Sequence, residues 1–343
     1  MRGSCEAVVR SADGGVVRGT DGQAELGRSG LRVSRLGLGT APLGGMFDHV
    51  DDGQARDVVR HALDRGLTYL DTAPQYGHGT GERRLGAALA GVPRSSVVVS
   101  TKVGRLVVAS GTGDTGIFAD APPSDTVFDF SPDGVRRSLE ASLDRLGLDR
   151  VDIVYLHDPD DPAHAETALA QAYPVLHELR AQGVVRAIGV GMNQAAVPLR
   201  FVRETDLDAV LLAGRWSLID RSGAELLAEC LRRNVSVVIG GVFNSGLLAD
   251  PAPRPGPRAT FDYAPAPAHL VRLAGQLAGV CAEHGTTLPV AALQFPFRHP
   301  AVTSVLTGTR SAAELDANLA ALDEPVAEAL WLAVDAVLAQ GSP

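Results

Sequence analysis

Four residues in the first half of the chain carry side chains suited to proton transfer: Asp71, Tyr76, Lys102 and His157. Taken singly, each has an ordinary reading as a helix cap, a loop aromatic, a surface charge and a satisfied turn histidine. Their placement changes this, because each falls at or just past the C-terminal end of a β-type run, in TYLD, STK and VYLH. If those runs are parallel strands, the four side chains meet on one rim. A carbonyl that receives hydride must also receive a proton, and a phenol with pKa near ~10 does this poorly until neighbours tune it. An ammonium beside the phenol stabilises its ionised form, and a carboxylate holds that ammonium in place. Asp71, Lys102 and Tyr76 supply this sequence of influences. His157 can orient a substrate oxygen or relay a proton. No metal is needed for such chemistry. Lys102 is also the one lysine among 31 basic residues, the rest being arginine. Arginine can serve every surface role of a cation, whereas a compact ammonium with an adjustable pKa requires lysine.

The elements that must position these residues read as a regular alternation. Apolar β-type runs begin near Leu36 and recur at residues 67, 96, 151, 184, 208, 235 and 302, which makes eight. Between them lie amphipathic stretches such as ARDVVRHALDRG and AELLAECLRRN, closed by Gly or Asn where a helix C-cap is expected. Strands buried on both faces and joined by crossover helices imply a parallel sheet. Eight such units specify a (β/α)8 TIM barrel, with a doubly wound open sheet as the competing architecture. A turn at Ser29-Gly30 predicts an N-terminal β-hairpin closing one end of the core. Residues 1–24 lack periodicity and read as a disordered extension, leaving 25–343 as a single barrel domain. Gly104 to Pro132 and Val242 to Ala268 read as long loops at the C-terminal face, placed to cover a ligand. A last helix is expected at about 325–339.

Composition narrows the partners. A net charge of -9 argues against general affinity for nucleic acid or an anionic membrane. No apolar run approaches the roughly 20 residues that cross a bilayer, and the first residues lack a secretory apolar core. A small-molecule substrate and a cytoplasmic location are the expectation; oligomeric state is not readable. Cys5, Cys230 and Cys281 have no metal-type spacing and read as reduced structural thiols.

From Leu26 to about Leu322 the chain resembles the aldo-keto reductase superfamily, through LGLGTAPLGG at 36–45, GLTYLDTAPQYGHGTGERRLGAAL at 66–89, STKVGR at 100–105, LDRLGLDRVDIVYLHDPD at 143–160 and GVVRAIGVGMN at 183–193. The resemblance implies Tyr76 as general acid/base, Lys102 and Asp71 as its tuning groups, and His157 as the group orienting substrate. HDPD at 157–160, GVGMN at 189–193, LLAGRWSLID at 211–220 and GGVFNSGLLA at 240–249 are most similar to the aldose dehydrogenase branch. That branch includes L-fucose or D-threo-aldose, L-galactose and pyridoxal 4-dehydrogenases. It implies oxidation of an aldose at the anomeric carbon to a lactone, or of a pyridoxal-like hemiacetal, with aldehyde reduction as the same site run backward.

The resemblance also implies a nicotinamide cofactor. Gly39, Thr40, Asp71 and Phe243 would adjoin it, Asn193 would hold the carboxamide, Trp216 would stack on the ring, and Ser245, Gly246 and Leu247 would meet the pyrophosphate. Ala213 stands where relatives usually have a second amide. Gly308, Thr309, Arg310, Glu314 and Asn318 would meet the adenosine end. NADP-using relatives commonly have lysine where Gly308 falls and arginine where Glu314 falls, so NAD is favoured, while Arg310 keeps NADP open. Phe47, Trp216 and Phe243 are candidate substrate walls beside Tyr76 and His157. Two readings compete: a catalytically idle nucleotide-binding regulatory subunit, and a lyase using Lys102 as a Schiff-base nucleophile.

Overall fold

The computed structural model describes residues 22–109, 115–256 and 259–341. Among these, eight parallel strands close into a barrel: β1 (Leu36–Gly39), β2 (Tyr69–Asp71), β3 (Val98–Val103), β4 (Ile153–His157), β5 (Ala187–Met192), β6 (Ala209–Ala213), β7 (Ser236–Gly240) and β8 (Val302–Gly308). They pair in chain order, and β8 closes on β1 from Val305–Leu36 to Gly308–Gly39. The expected (β/α)8 barrel is therefore the architecture, and the open-sheet alternative is excluded by closure.

Strand alternation explains both the apolar runs and the placement of the site. Leu70, Val99, Val154 and Leu212 point outward and pack beneath the helices. Their neighbours Tyr69, Val98, Ile153, Tyr155, Ala209 and Val238 fill the lumen. The crossover helices begin and end where the local chemistry directs. Ser131 accepts the Gly134 N–H at 3.0 Å to cap the helix Pro132–Leu146, which ends at a left-handed Gly147. Asn234 ends Ala224–Arg233 in the same conformation.

An antiparallel hairpin, Gln23–Leu26 with Leu31–Ser34, closes the N-terminal end of the barrel by burying Leu26, Leu31 and Val33 against Tyr69 and Tyr155. The extension expected through residue 24 falls on residues 1–21, which lie outside the described residues, except that Gln23 and Ala24 already belong to this hairpin.

Three expectations need adjustment. The connection from Gly104 to Pro132 contains an antiparallel hairpin, Arg105–Ala109 paired with Ser124–Phe128. The connection after β7 contains a shorter hairpin, Thr260–Phe261 with Ala264–Pro265. The final helix spans Glu328–Gly341, starting after an extended Glu324 that precedes Pro325. Cys230 and Cys281 are buried thiols. No helix among the described residues is long and apolar enough to cross a membrane.

Candidate active site

At the C-terminal rim of the barrel lies a cavity of about 1050 Å³. The last inward-facing position of each strand reaches it: Asp71, Lys102 and His157 on β2, β3 and β4, then Gly191, Ala213, Gly240 and Gly308 on β5 to β8, and Gly39 on β1. One half of the rim thus bears titratable side chains, while the other is lined by glycine and alanine.

Lys102 is 2% exposed, and its ammonium donates three hydrogen bonds: to Asp71 Oδ2 at 2.7 Å, to the Thr72 carbonyl at 2.9 Å and to Tyr76 Oη at 3.1 Å. All three N–H groups are engaged, which counts against a free amine poised for Schiff-base attack. Burial disfavours the ammonium, but Asp71 and Tyr76 outweigh it and raise the Lys102 pKa. Burial pushes the Tyr76 phenol up to about 12, with Lys102 pulling in the opposite direction. The phenol is therefore protonated in the free protein. Burial, then the positive charges of Arg105 and Lys102, holds His157 well below its ordinary value, so its ring is neutral. The ring meets Tyr76 edge-on at 6.2 Å between centroids. Among the described residues His157 Nδ1 is buried without a partner, whereas Nε2 lies 3.5 Å from Asp158 Oδ2. A proton on Nδ1 would be an unpaired buried donor, so the neutral ring carries its proton on Nε2.

Tyr76 lies on the connection after β2, whose backbone passes close to the connection after β1. A Cβ on Gly44 would come within 2.7 Å of the Tyr76 carbonyl carbon, and one on Gly77 within 2.2 Å of the Gly44 oxygen. Only glycine at both places permits this approach.

Sequence reasoning missed what lies under the tetrad. Ser100 Oγ donates to Asp71 Oδ1 at 2.6 Å and lies 3.3 Å from Tyr69 Oη, which is 3.0 Å from Tyr155 Oη. Ser100 has one proton and gives it to the carboxylate, so the tyrosines must donate in series toward it. Three lumen hydroxyls thereby fix Asp71 from below, and bonds in such a series polarise one another. Strand alternation carried the available signal: Tyr69 and Ser100 stand two residues before Asp71 and Lys102, on the same face.

Of the cofactor candidates, Gly39, Asn193, Phe243, Ser245, Gly246, Gly308, Thr309, Arg310, Glu314 and Asn318 line the cavity. Thr40, Trp216 and Leu247 do not. Thr40 is fully buried and its N–H donates to the Asp71 carbonyl at 2.9 Å. Leu247 packs into the core around the helix Ala268–Glu283. Trp216 directs its indole N–H to the Pro296 carbonyl at 3.3 Å and packs on Phe295 and His299. These contacts hold Trp216 in an aromatic cluster with Phe295 and His299. Phe47 lies at the mouth, where its ring meets Tyr263 at 6.3 Å.

Arg215 Nε donates to the Asn193 carbonyl at 2.7 Å and its guanidinium pairs with Asp220 and Asp262, which ties Asn193 to the hairpin after β7. Ser245 Oγ accepts the Tyr263 N–H at 3.0 Å, anchoring the same hairpin. At the other end, Arg310 pairs with Asp48, and Glu314 accepts the Arg310 backbone N–H at 2.8 Å. Buried polar atoms nearly always find partners, yet Thr307, Thr309 and Asn244, which line this cavity, have Oγ1, Oγ1 and Oδ1 atoms with none among the described residues. They fit a polar ligand along the small-residue half.

Residues 35–339 match a family described as the aldo/keto reductase family. The chain is similar to the pyridoxal 4-dehydrogenase of Microbacterium luteolum, at 40% identity covering 89% of this chain and 94% of that one. It is equally similar to the D-threo-aldose 1-dehydrogenase of a Pseudomonas species, at 40% identity covering 88% and 93%. Among solved structures, an aldo-keto reductase from Bacillus halodurans in its holo form superposes with TM-score 0.71 at 25% identity, covering 94% of this chain and 96% of that one.

Proposed function

The chain belongs to the aldo/keto reductase family and is an oxidoreductase, and from this premise we propose that it oxidises an aldose or a related hemiacetal at the anomeric carbon, with NAD as cofactor and Tyr76 as general acid/base. The observation that carries the reading is the continuous chain of hydrogen bonds from Asp71 through Lys102 to Tyr76 at the head of the cavity.

A nicotinamide dinucleotide, when bound, supplies the hydride acceptor or donor. Its holders would be the residues of the small-residue half: Asn193 at the carboxamide, Gly240 and Phe243 beside the ring, Ser245 and Gly246 at the pyrophosphate, and Gly308, Thr309, Arg310, Glu314 and Asn318 at the adenosine. In the oxidative direction the ionised Tyr76 Oη would take the proton of the anomeric hydroxyl while the C1 hydrogen leaves as hydride. C1 is oxidised and the cofactor reduced. Lys102 stabilises the phenolate, Asp71 keeps Lys102 charged and aimed, and His157 donates Nε2–H to the substrate oxygen.

Three features favour NAD over NADP. Arg310, the cation nearest a 2′-phosphate, is already paired with Asp48. Glu314 presents a carboxylate to the same region, which repels phosphate and accepts from a ribose hydroxyl. A side chain on Gly308 would run into Pro42 at 2.6 Å, so the lysine common in NADP-using relatives has no room.

A second reading, aldehyde reduction, is favoured by the raised Tyr76 pKa, since a protonated phenol is a donor. Purified protein offered NAD or NADP with L-fucose, L-galactose, D-arabinose and pyridoxal, and reduced cofactor with simple aldehydes, separates the two by absorbance of the reduced nicotinamide. Reduction of NAD by an aldose or pyridoxal supports the proposal. Turnover confined to aldehydes with reduced cofactor supports the second reading, and cofactor binding without any turnover contradicts both.

A further inference from the structure

Beside His157 the cavity wall holds a charged group that neither the proton chain nor the cofactor half uses. Consecutive residues at a strand end normally face opposite ways, yet His157 and Asp158 both line the cavity. Asp158 does so through a left-handed backbone, φ 47°, a conformation that a non-glycine residue adopts at a cost and that concentrates at functional sites. Its Oδ2 accepts from Arg105 Nη2 at 2.8 Å and lies 3.5 Å from His157 Nε2. Arg105 is itself fixed: Nη1 reaches Gln75 Oε1 at 3.4 Å, Thr126 donates to that same oxygen at 2.7 Å, and the Phe128 ring covers the guanidinium at 4.4 Å.

We propose that Asp158 is a specificity-determining residue, accepting the hydroxyl on the carbon next to the reacting carbonyl, so that the site selects neutral α-hydroxy aldehydes and their cyclic aldose forms. This rests on the reading that Tyr76 and His157 hold the reacting oxygen. A substrate oxygen that accepts from His157 Nε2 lies beside a carboxylate 3.5 Å from that nitrogen. Oxygens on adjacent carbons are spaced so that one accepts from the imidazole while the other donates to the carboxylate. Substrate charge follows from the same wall. Among the described residues Arg105 is paired with Asp158 and Arg215 with Asp220 and Asp262, so a phosphate or carboxylate substituent meets acidic groups whose guanidinium neighbours are already engaged. Burial raises the Asp158 carboxyl to about 6, opposed by Arg105 and Lys102 and reinforced by Asp160. It is therefore ionised at neutral pH and poorly solvated, which makes it a strong acceptor.

D-arabinose and 2-deoxy-D-ribose differ only in the hydroxyl at C2 and provide the probe. Affinity for each sugar is measured by calorimetry on protein saturated with NADH, where no oxidation occurs, and kcat/KM is measured separately with NAD. Wild type is expected to favour D-arabinose by about tenfold or more, as for a hydrogen bond to a charged group. The preference shrinks in Asp158→Asn and approaches one in Asp158→Ala. A residue that merely oriented His157 would lower both sugars together and leave the ratio unchanged, which overturns the proposal. A wild-type ratio near one, or no binding of D-arabinose, also overturns it and requires no variant to fold. Preferential binding without oxidation contradicts the dehydrogenase reading alone, whereas equal oxidation of both sugars contradicts the Asp158 assignment alone.

Discussion

The two halves of the barrel rim solve different problems with different residues. From β2 to β4 the last inward positions carry Asp71, Lys102 and His157; Asp71 and Lys102 are bonded to each other, to Tyr76 and to the hydroxyls of Ser100, Tyr69 and Tyr155 beneath, and the His157 ring meets Tyr76 edge-on. From β5 around to β1 the same positions carry Gly191, Ala213, Gly240, Gly308 and Gly39, and their contribution is space. Proton transfer needs charged groups held within hydrogen-bond reach. An extended dinucleotide with a planar nicotinamide ring needs room and scattered polar atoms at the edges. The same strand geometry serves both because what differs is confined to one residue per strand.

Substitutions that act on only one half test this division. Tyr76→Phe should have the largest effect, lowering kcat by about 100- to 10,000-fold because it removes the acid/base group. Nicotinamide binding, read by fluorescence titration, should change little. Turnover within a few-fold of wild type would falsify the role given to Tyr76. Gly240→Leu should do the reverse. A Cβ there meets nothing closer than 3.7 Å, so the fold tolerates it, but the side chain enters the cavity. Cofactor affinity should fall at least about tenfold, an overpacking cost of about 1–3 kcal/mol, with the melting temperature nearly unchanged. Unaltered affinity would place the nicotinamide elsewhere.

The hydroxyl series sharpens the first half. Ser100→Ala should lower kcat by about tenfold, the worth of one hydrogen bond to a charged group. Tyr69→Phe, one step further from Asp71, should cost less, and KM should hold in both. Equal losses would show that the series does not act through Asp71. The pH profile of oxidation provides a further check. With Tyr76 raised to about 12, its deprotonated fraction still grows through the alkaline range, so kcat should climb with pH above 8 if proton removal limits the rate. Because His157 is held well below its ordinary pKa, its ring stays neutral and no loss from its ionisation should appear between pH 6 and 8. A flat profile up to pH 10 would argue against Tyr76 as the base. The smallest effect is expected from Asp48→Asn, which frees Arg310 and should shift the NADP/NAD preference upward a few-fold. No shift would mean that Arg310 does not face the ribose.

The halves also differ in how legible they were. Asp71, Tyr76, Lys102 and His157 are titratable residues at the ends of periodic strands, and both the type and the period could be read directly. Eight strands were recognisable for the same reason, since burial on two faces leaves uninterrupted apolar runs. The small-residue half is defined by side chains that are missing, and a glycine at a strand end reads equally well as a turn. Trp216 shows the difficulty. The stacking role came from its place in the family pattern, whereas the indole N–H bond to the Pro296 carbonyl and the packing on Phe295 are contacts that local sequence does not reveal. Asp158 was also hidden, because only its left-handed backbone brings it to the cavity face.

The most direct test of hydride transfer at this rim is to supply NAD with an aldose deuterated at C1 and follow the label by mass spectrometry. The expected result is deuterium in the reduced cofactor with a lactone as product, strongly diminished in Tyr76→Phe. A reduced cofactor without label, or a bound cofactor that no aldose reduces, would contradict oxidation at the anomeric carbon.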